Sequence, residues 1–129
     1  MENIAEPRTV LVVDDDLIFR SFEVQLLSSQ GYNVLQAASG AEALRLADSE
    51  TIHLLLTDFS MPDLDGLELT RMFQTAHPQT PVLMVSGLIA TTDQRIRNLT
   101  GFGFLPKPFA VEELVFKVRA LIGPGSSVP

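Results

Sequence analysis

Residues Leu54–Gly66 have the sequence LLLTDFSMPDLDG, and this stretch decides the fold. Its apolar residues are continuous rather than alternating, which is typical of a strand buried on both faces of a parallel sheet. The run ends at Asp58, and a loop with Pro and Asp turn signals leads to a helix that begins at Gly66. The same order of strand and acidic loop occurs upstream, where Thr9–Val13 (TVLVV) runs into three aspartates, Asp14, Asp15 and Asp16.

Apolar runs and helical segments alternate along the rest of the chain. In the first helical segment Ile18, Phe22 and Leu26 recur at every fourth position, and Gly31 supplies a stop signal. The predicted strands are Thr9–Val13, Asn33–Ala37, Ile52–Thr57, Pro81–Val85 and Phe102–Leu105. The predicted helices are Leu17–Gln30, Gly40–Glu50, Gly66–Ala76, Thr91–Leu99 and a last helix from Val111 to Ile122.

This alternation predicts an α/β fold with a doubly wound parallel sheet. Parallel strands need crossover connections, which are right-handed and place helices on both faces of the sheet. A closed barrel requires about eight strand–helix units. Five units therefore predict an open five-stranded sheet.

Composition limits the possible functions. The chain has 129 residues, enough for one ordinary domain, and nine basic against sixteen acidic residues give a net charge of −7. That balance argues against a nucleic-acid or anionic-membrane surface, which needs clustered Lys and Arg. The absence of cysteine excludes disulfides, thiolate zinc sites and cysteine nucleophiles, with the cytoplasm as the default location. No apolar run approaches the ~20 residues of a membrane helix.

The segments outside the predicted sheet set the expected domain limits. We expect an N-terminal extension over residues 1–8, one domain over residues 9–122 and a flexible tail or linker over residues 123–129. The last segment has the sequence GPGSSVP, which is rich in Gly, Pro and Ser. We expect a monomer or a weak dimer.

Acidic residues concentrate at the carboxyl ends of two predicted strands, where ligands bind in open parallel sheets. Six of the sixteen acids lie there: Asp14, Asp15, Asp16, Asp58, Asp63 and Asp65. Capping accounts for Asp16 and Asp65, which directly precede helices. It does not account for Asp14, Asp15 or Asp58. Three carboxylates brought together repel one another unless a cation lies between them, and oxygen ligands without His or Cys favour Mg²⁺.

Two more polar side chains follow the remaining strands of the predicted edge. Ser86 follows the fourth strand, and Lys107, one of only two lysines, follows the fifth. An ammonium and a hydroxyl there can stabilise developing negative charge. A metal, a carboxylate, a hydroxyl and a lysine together suit phosphoryl transfer, with Asp58 as the nucleophile.

These residues, in this order, resemble the receiver domain of two-component response regulators, from Val10 to about Ile122. The resemblance rests on four motifs: LVVDDD (Leu11–Asp16), LLLTDFSMPDLDG (Leu54–Gly66), PVLMVSG (Pro81–Gly87) and FLPKPF (Phe104–Phe109). It implies the strand order 2-1-3-4-5, which is flavodoxin-like, and a cis Lys107–Pro108 bond.

The resemblance also implies how the acidic residues act. Asp58 would accept a phosphoryl group from a phosphohistidine on a histidine kinase or a histidine phosphotransfer protein. Asp15 would bind Mg²⁺ directly, and Asp14 mainly through a metal-bound water. The backbone carbonyl of Ser60 would be the remaining protein ligand. The domain would then signal or relay the phosphoryl group without being an enzyme that acts on an independent substrate.

Other residues of the motifs match less closely or carry a different expectation. Ser86 and Lys107 would contact the phosphoryl oxygens, with Ser86 at a position where the family most often has Thr. Phe104 stands where the family often has Tyr, so a switch that depends on a phenol is in doubt. His53 and His77 are expected to be structural, because neither is placed to carry a phosphoryl group.

Three other readings of the sequence remain. A phosphatase of the haloacid dehalogenase type would use Asp14 as the nucleophile and would leave Asp58 without a role. A flavodoxin-like carrier of flavin mononucleotide would need Gly, Ser and Thr after the first strand, where this chain has aspartates. A receiver-like protein without phosphorylation would need at least one chemically incompetent site position, and none is found.

Overall fold

The computed structural model describes residues 7–87 and 102–125 of the chain. The strands are β1 (Thr9–Val13), β2 (Asn33–Ala37), β3 (Leu54–Asp58), β4 (Val82–Ser86) and β5 (Phe102–Pro106). The helices of the described part are α1 (Leu17–Ser29), α2 (Gly40–Ser49), α3 (Gly66–Ala76) and α4 (Val111–Ile122). The helix predicted over Thr91–Leu99 lies outside the described residues. In these same ranges no helix has the length and apolar composition of a membrane span.

The five strands form one parallel sheet in the order β2-β1-β3-β4-β5. The predicted α/β class, the parallel pairing and the strand order are therefore confirmed. β1 and β3 are neighbours, with Val13 opposite Thr57. This register brings the next residue of each strand, Asp14 and Asp58, to the same edge of the sheet.

Side chains of the strands alternate between two apolar cores, one on each face of the sheet. In β1, Val10 and Val12 belong to one core, which includes residues of α1 and α4. Leu11 and Val13 belong to the other core, which includes residues of α2 and α3. Burial of both faces explains why the strand sequences are continuously apolar.

The buried face of α1 differs from the apolar stripe that predicted the helix. Ile18 is 81% exposed and Phe22 is 37% exposed. The buried residues of α1 are Glu23 and Leu27, four positions apart, and Phe19 packs against the same core. The fourfold spacing therefore predicted a helix correctly, but only its last member, Leu26, packs against the core, and the stripe as a whole is not the buried face.

The C-terminal residues of the described chain pack against the turn between α1 and β2. Gly123 is the C-cap of α4 and has a positive φ of 82°, which favours glycine. The hydroxyl of Tyr32 donates a hydrogen bond to the Gly123 carbonyl at 2.5 Å. Gly125 is buried so closely against Gln30 and Gly31 that a Cβ there would lie 2.6 Å from the Gln30 carbonyl oxygen. The start of the expected tail thus contacts the body of the domain.

Candidate functional site

The carboxylates of Asp14, Asp15 and Asp58 form an acidic cluster at the carboxyl edge of the sheet. One oxygen of each residue lies within 4.8 Å of the others. Asp14 and Asp15 directly follow β1, and Asp58 is the last residue of β3. The sequence predicted this grouping from strand ends alone, and the parallel pairing of β1 with β3 produces it.

Asp14 is the most buried member of the acidic cluster, with 2% of its surface exposed. Its Oδ1 accepts a hydrogen bond from the Asp16 backbone N–H at 2.9 Å. Its Oδ2 is buried and has no hydrogen-bond partner among the described residues. Burial raises the pKa of Asp14 to about 6, with Asp58 and Asp15 adding to the rise and the Asp16 N–H and Lys107 opposing it.

Asp58 forms an ion pair with Lys107. The distance between Lys107 Nζ and Asp58 Oδ1 is 3.1 Å, and 11% of the Asp58 side chain is exposed against 33% of the Lys107 side chain. Burial raises the pKa of Asp58, although Lys107 and the backbone N–H of Ser60 lower it in part. Asp58 is therefore a largely buried carboxylate that is paired with one ammonium group.

Lys107 is aimed at Asp58 by the backbone of the β5–α4 connection. The Lys107 backbone N–H donates to the Ser86 carbonyl at 2.6 Å, so the chain after β5 is tied to the end of β4. The Lys107–Pro108 peptide bond is cis, as the resemblance implied. Ser86 is 4% exposed and ends β4, one position beyond the residue that pairs with Asp58.

The acidic cluster fits a hard divalent cation. Its donor atoms are carboxylate oxygens, without imidazole or thiolate, which is the ligand type that Mg²⁺ prefers. Three like charges at this separation repel one another in the absence of a cation. The unpartnered, buried Oδ2 of Asp14 is a polar atom of the kind that an ion or an ordered water satisfies.

The sequence pattern of the response regulator receiver domain family matches residues 10–119. The chain belongs to this family. It is a receiver domain, the phosphoacceptor module of two-component signal transduction, and the family predicted from the four motifs is confirmed.

Relatives of this receiver domain include whole proteins of two architectures. The chain is 38% identical over 119 residues to the sensor kinase CckA of Brucella abortus, covering 88% of this chain and 12% of CckA. It is 34% identical over 119 residues to the probable transcriptional regulatory protein TcrX of Mycobacterium tuberculosis, covering 91% of this chain and 50% of TcrX. The chain thus spans about half of the regulator and a smaller part of the kinase.

Solved receiver domains share its fold. The receiver domain of the hybrid histidine kinase CckA has a TM-score of 0.75 at 35% identity, covering 88% of this chain and 98% of that one. The response regulator TrrA of Thermotoga maritima, in complex with Mg(2+)-BeF, has a TM-score of 0.80 at 26% identity, with coverages of 88% and 98%.

Two aspartates close to the acidic cluster cap helices of this receiver domain. Asp16 accepts hydrogen bonds from the N–H groups of Ile18 and Phe19 at 3.0 and 3.3 Å, and Asp65 accepts one from Glu68 at 2.8 Å. Both are N-caps, as predicted.

Asp63 has a role that its sequence position did not indicate. Its carboxylate accepts from the N–H groups of Gly40 at 3.2 Å and Ala41 at 3.1 Å, so the β3–α3 loop is tied to the start of α2. Slight burial of Asp63 raises its pKa, but these N–H groups and that of Leu64 lower it by more. The contact joins segments more than twenty residues apart in sequence, which motif spacing does not reveal.

Two charged residues of α1 in this receiver domain were missed by the sequence analysis. Arg20 donates to the Asp14 carbonyl at 2.7 Å and to the Gln36 side chain at 2.9 Å, which fixes the chain where β1 ends. Glu23 is 2% exposed, on the buried face of α1. Burial raises the pKa of Glu23 to about 8, with further contributions from Asp14 and Asp58 that Lys107 partly offsets. The sequence does contain a signal for this burial, because Glu23 lies four residues from both Phe19 and Leu27 in the helix.

Both histidines lie away from the acidic cluster and have structural contacts. His53 Nδ1 accepts a hydrogen bond from the Thr9 N–H at 2.9 Å, at the amino end of β1. His77 is the C-cap of α3, and its ring lies 4.9 Å from that of Phe73. These contacts agree with the structural roles expected for both.

Proposed function

We propose that this receiver domain accepts a phosphoryl group on Asp58 from a phosphohistidine of a partner protein. The observation that carries the proposal is the Lys107–Asp58 contact at 3.1 Å beside the Asp14 and Asp15 carboxylates. An aspartate that is paired with a single ammonium and borders a cation site is placed to act as a nucleophile toward an anionic donor.

The proposed step conserves charge and atoms. A carboxylate oxygen of Asp58 attacks phosphorus, the P–N bond of the phosphohistidine breaks, and its electron pair stays on the imidazole nitrogen. The product on Asp58 is an acyl phosphate, and the partner histidine is released. Lys107 stays beside the reacting carboxylate and stabilises the charge that moves onto the phosphoryl oxygens.

Asp14, Asp15 and Asp58, together with the backbone carbonyl of Ser60, would hold one Mg²⁺. When bound, the cation supplies neutralising charge for the carboxylates and the incoming phosphoryl oxygens. The buried Oδ2 of Asp14 and the oxygen-only donor set support this assignment. The complex of TrrA with Mg(2+)-BeF is consistent with it.

Ser86 would contact a phosphoryl oxygen through its hydroxyl. It lies on β4, next to the β3 strand that ends at Asp58, and it is tied to Lys107 through the backbone. Phosphorylation would therefore affect the ends of two neighbouring strands, β4 at Ser86 and β5 next to Lys107.

The proposed partner is a histidine kinase or a histidine phosphotransfer protein in the cytoplasm. The domain is proposed to relay or signal the phosphoryl group rather than to turn over a free substrate. Leu17 and Ile18 are 63% and 81% exposed beside the acidic edge, and such apolar residues are available to a partner whose histidine must reach Asp58.

The test uses phosphoramidate, which carries the same P–N bond as phosphohistidine, with Mg²⁺. We expect the intact protein to gain the mass of one phosphoryl group, labile to hydroxylamine, and the Asp58→Asn variant to gain none. Retained labelling of Asp58→Asn would show that another residue is the acceptor.

The matched variant Asp14→Asn separates this proposal from the phosphatase alternative. A phosphatase that uses Asp14 as the nucleophile would form its covalent phosphate on Asp14. In that case Asp58→Asn would keep the label and Asp14→Asn would lose an acyl phosphate that maps to Asp14. Under our proposal the labelled peptide contains Asp58.

A further inference from the structure

Phe19 contacts Lys107 at the carboxyl edge of the sheet, and none of the roles assigned so far involves this contact. An open groove of about 500 Å³ is lined by Phe19, Phe22, Lys107, Pro108 and Phe109. Within it, Lys107 Nζ lies 4.2 Å from the centroid of the Phe19 ring. The same ammonium lies 3.1 Å from Asp58 Oδ1. An aromatic face and a carboxylate therefore hold one ammonium group together.

The Phe19 ring is itself held in place. It packs against the core that α1 and α4 share. The Phe109 ring meets it edge to face, with centroids 6.0 Å apart and planes at 74°. Phe109 follows Lys107 by two residues, so the segment that carries the lysine also packs against the ring that contacts its ammonium.

We propose that Phe19 is a positioning residue for phosphoryl transfer, whose ring face keeps the Lys107 ammonium beside Asp58. The inference rests on the proposed role of Asp58 and Lys107. A lysine side chain has a flexible four-carbon stem. The Lys107 side chain is 33% exposed, so its ion pair with Asp58 does not by itself fix the position of the stem. The face of an aromatic ring attracts an ammonium by its quadrupole and restricts it further.

The ring also differs from the carboxylate in what happens during the reaction. Asp58 loses its negative charge when its oxygen forms a bond to phosphorus. The negative charge nearest to Lys107 is then on the phosphoryl oxygens. The Phe19 ring is neutral before and after the step. Its attraction for the ammonium therefore persists while the charge beside Lys107 is rearranged.

The kinetic test measures the rate of Asp58 phosphorylation by phosphoramidate at saturating Mg²⁺ in three variants. We expect Phe19→Leu to lower the maximal rate about three- to fivefold, the size of one cation–π contact, with little change in the half-saturating donor concentration. Phe19→Tyr keeps the ring face and should stay within about twofold of the original rate. Phe22→Leu is the comparison variant: its ring is 37% exposed and meets the Phe19 ring with centroids 5.7 Å apart, but the ammonium lies over the ring of Phe19.

A spectroscopic measurement tests the contact without any phosphorylation. The chain has two lysines, Lys107 and Lys117, so ¹³C-labelled lysine gives two ε-methylene signals, which Lys117→Arg assigns. The Phe19 ring current should move the Lys107 ε-protons upfield. The shift should be lost in Phe19→Leu and kept in Phe19→Tyr and Phe22→Leu.

The outcomes separate this inference from the proposed function. A maximal rate for Phe19→Leu equal to that of the original protein, or an unchanged Lys107 signal in Phe19→Leu, would overturn the positioning role. If the unsubstituted protein accepted no phosphoryl group, the proposed function would fail, and the Lys107 signal would still decide whether the ring holds the ammonium.

Discussion

The carboxyl edge of the sheet holds the same side chain in two different settings. In the acidic cluster, Asp14 and Asp58 are largely buried, and burial raises the pKa of both. At the helix starts, Asp16 and Asp65 accept backbone N–H groups in exposed positions. The first setting disfavours the charged form and is costly without a cation, whereas the second satisfies orphan donors and stabilises the fold.

The comparison teaches that residue type alone does not separate an aspartate of the acidic cluster from an aspartate that caps a helix. Asp15 and Asp16 are adjacent, yet one belongs to the acidic cluster and the other caps α1. What separates them is the direction in which each side chain leaves the turn. Four measurements test how the buried acids and the exposed acids of this edge differ.

The largest expected effect comes from substituting these two neighbours separately. Asp15→Ala removes a proposed Mg²⁺ ligand, so we expect phosphorylation to fall at least about a hundredfold while the fold is kept. Asp16→Ala should keep phosphorylation and lower the free energy of unfolding by about 1 kcal/mol. Phosphoramidate labelling and urea denaturation distinguish them, and undiminished labelling of Asp15→Ala at low Mg²⁺ would contradict the ligand role.

The next effect concerns the buried acid behind the cluster. The pKa of Glu23 is raised from 4.5 to about 8, so the folded state binds the proton more tightly than the unfolded state. The free energy of unfolding should therefore fall as the pH rises from about 4.5 to 8. Glu23→Gln removes this dependence, and its stability relative to the original protein should be greater at pH 8.5 than at pH 5 by roughly 3–4 kcal/mol.

Urea denaturation without Mg²⁺ at both pH values measures this difference. Asp14 titrates in both proteins, but its charge also raises the pKa of Glu23, so the measured difference includes the coupling between the two acids. A difference in stability that does not change with pH would show that Glu23 is charged in the folded state.

Mg²⁺ should stabilise the folded domain in a pH-dependent way. The pKa of Asp14 is about 6, so at lower pH its carboxyl group is protonated and cannot coordinate a cation. The stabilisation by Mg²⁺ should therefore be larger at pH 7.5 than at pH 5. At ten times its dissociation constant the ion would add about 1.4 kcal/mol. The measurement is the denaturation midpoint with Mg²⁺ and with chelator, and Asp15→Ala, as the control, should show no difference.

The smallest effect is expected at Asp63, which links two loops through exposed hydrogen bonds. Asp63→Ala should lower the free energy of unfolding by less than about 1 kcal/mol, because solvent screens the contact. The pKa of Asp63 is below 3.8, so its contribution is present above that value and is lost as the pH falls through the lowered pKa. A stability difference between the two proteins that does not diminish as the pH is lowered below 3.8 would contradict this account.

The sequence by itself determined the sheet, the order of its elements and the members of the acidic cluster. Continuous apolar strands separated by helices allow few arrangements other than a parallel sheet covered on both faces. Parallel strands end at one edge, so Asp14, Asp15 and Asp58 could be grouped before any coordinates. The caps Asp16 and Asp65 were also predictable, because capping is a local interaction with the helix that directly follows.

Only the tertiary structure decided which side of α1 is buried and what its side chains meet. Both Phe22 and Phe19 lie on α1, but the packing of α1 on β1 and the β5–α4 connection turned Phe19 toward Lys107 and left Phe22 at the rim. The same packing buried Glu23 near Asp14 and Lys107, and it brought Asp63 to α2. These contacts join residues far apart in the chain, and their geometry depends on how whole elements pack, which the periodicity of one segment does not encode.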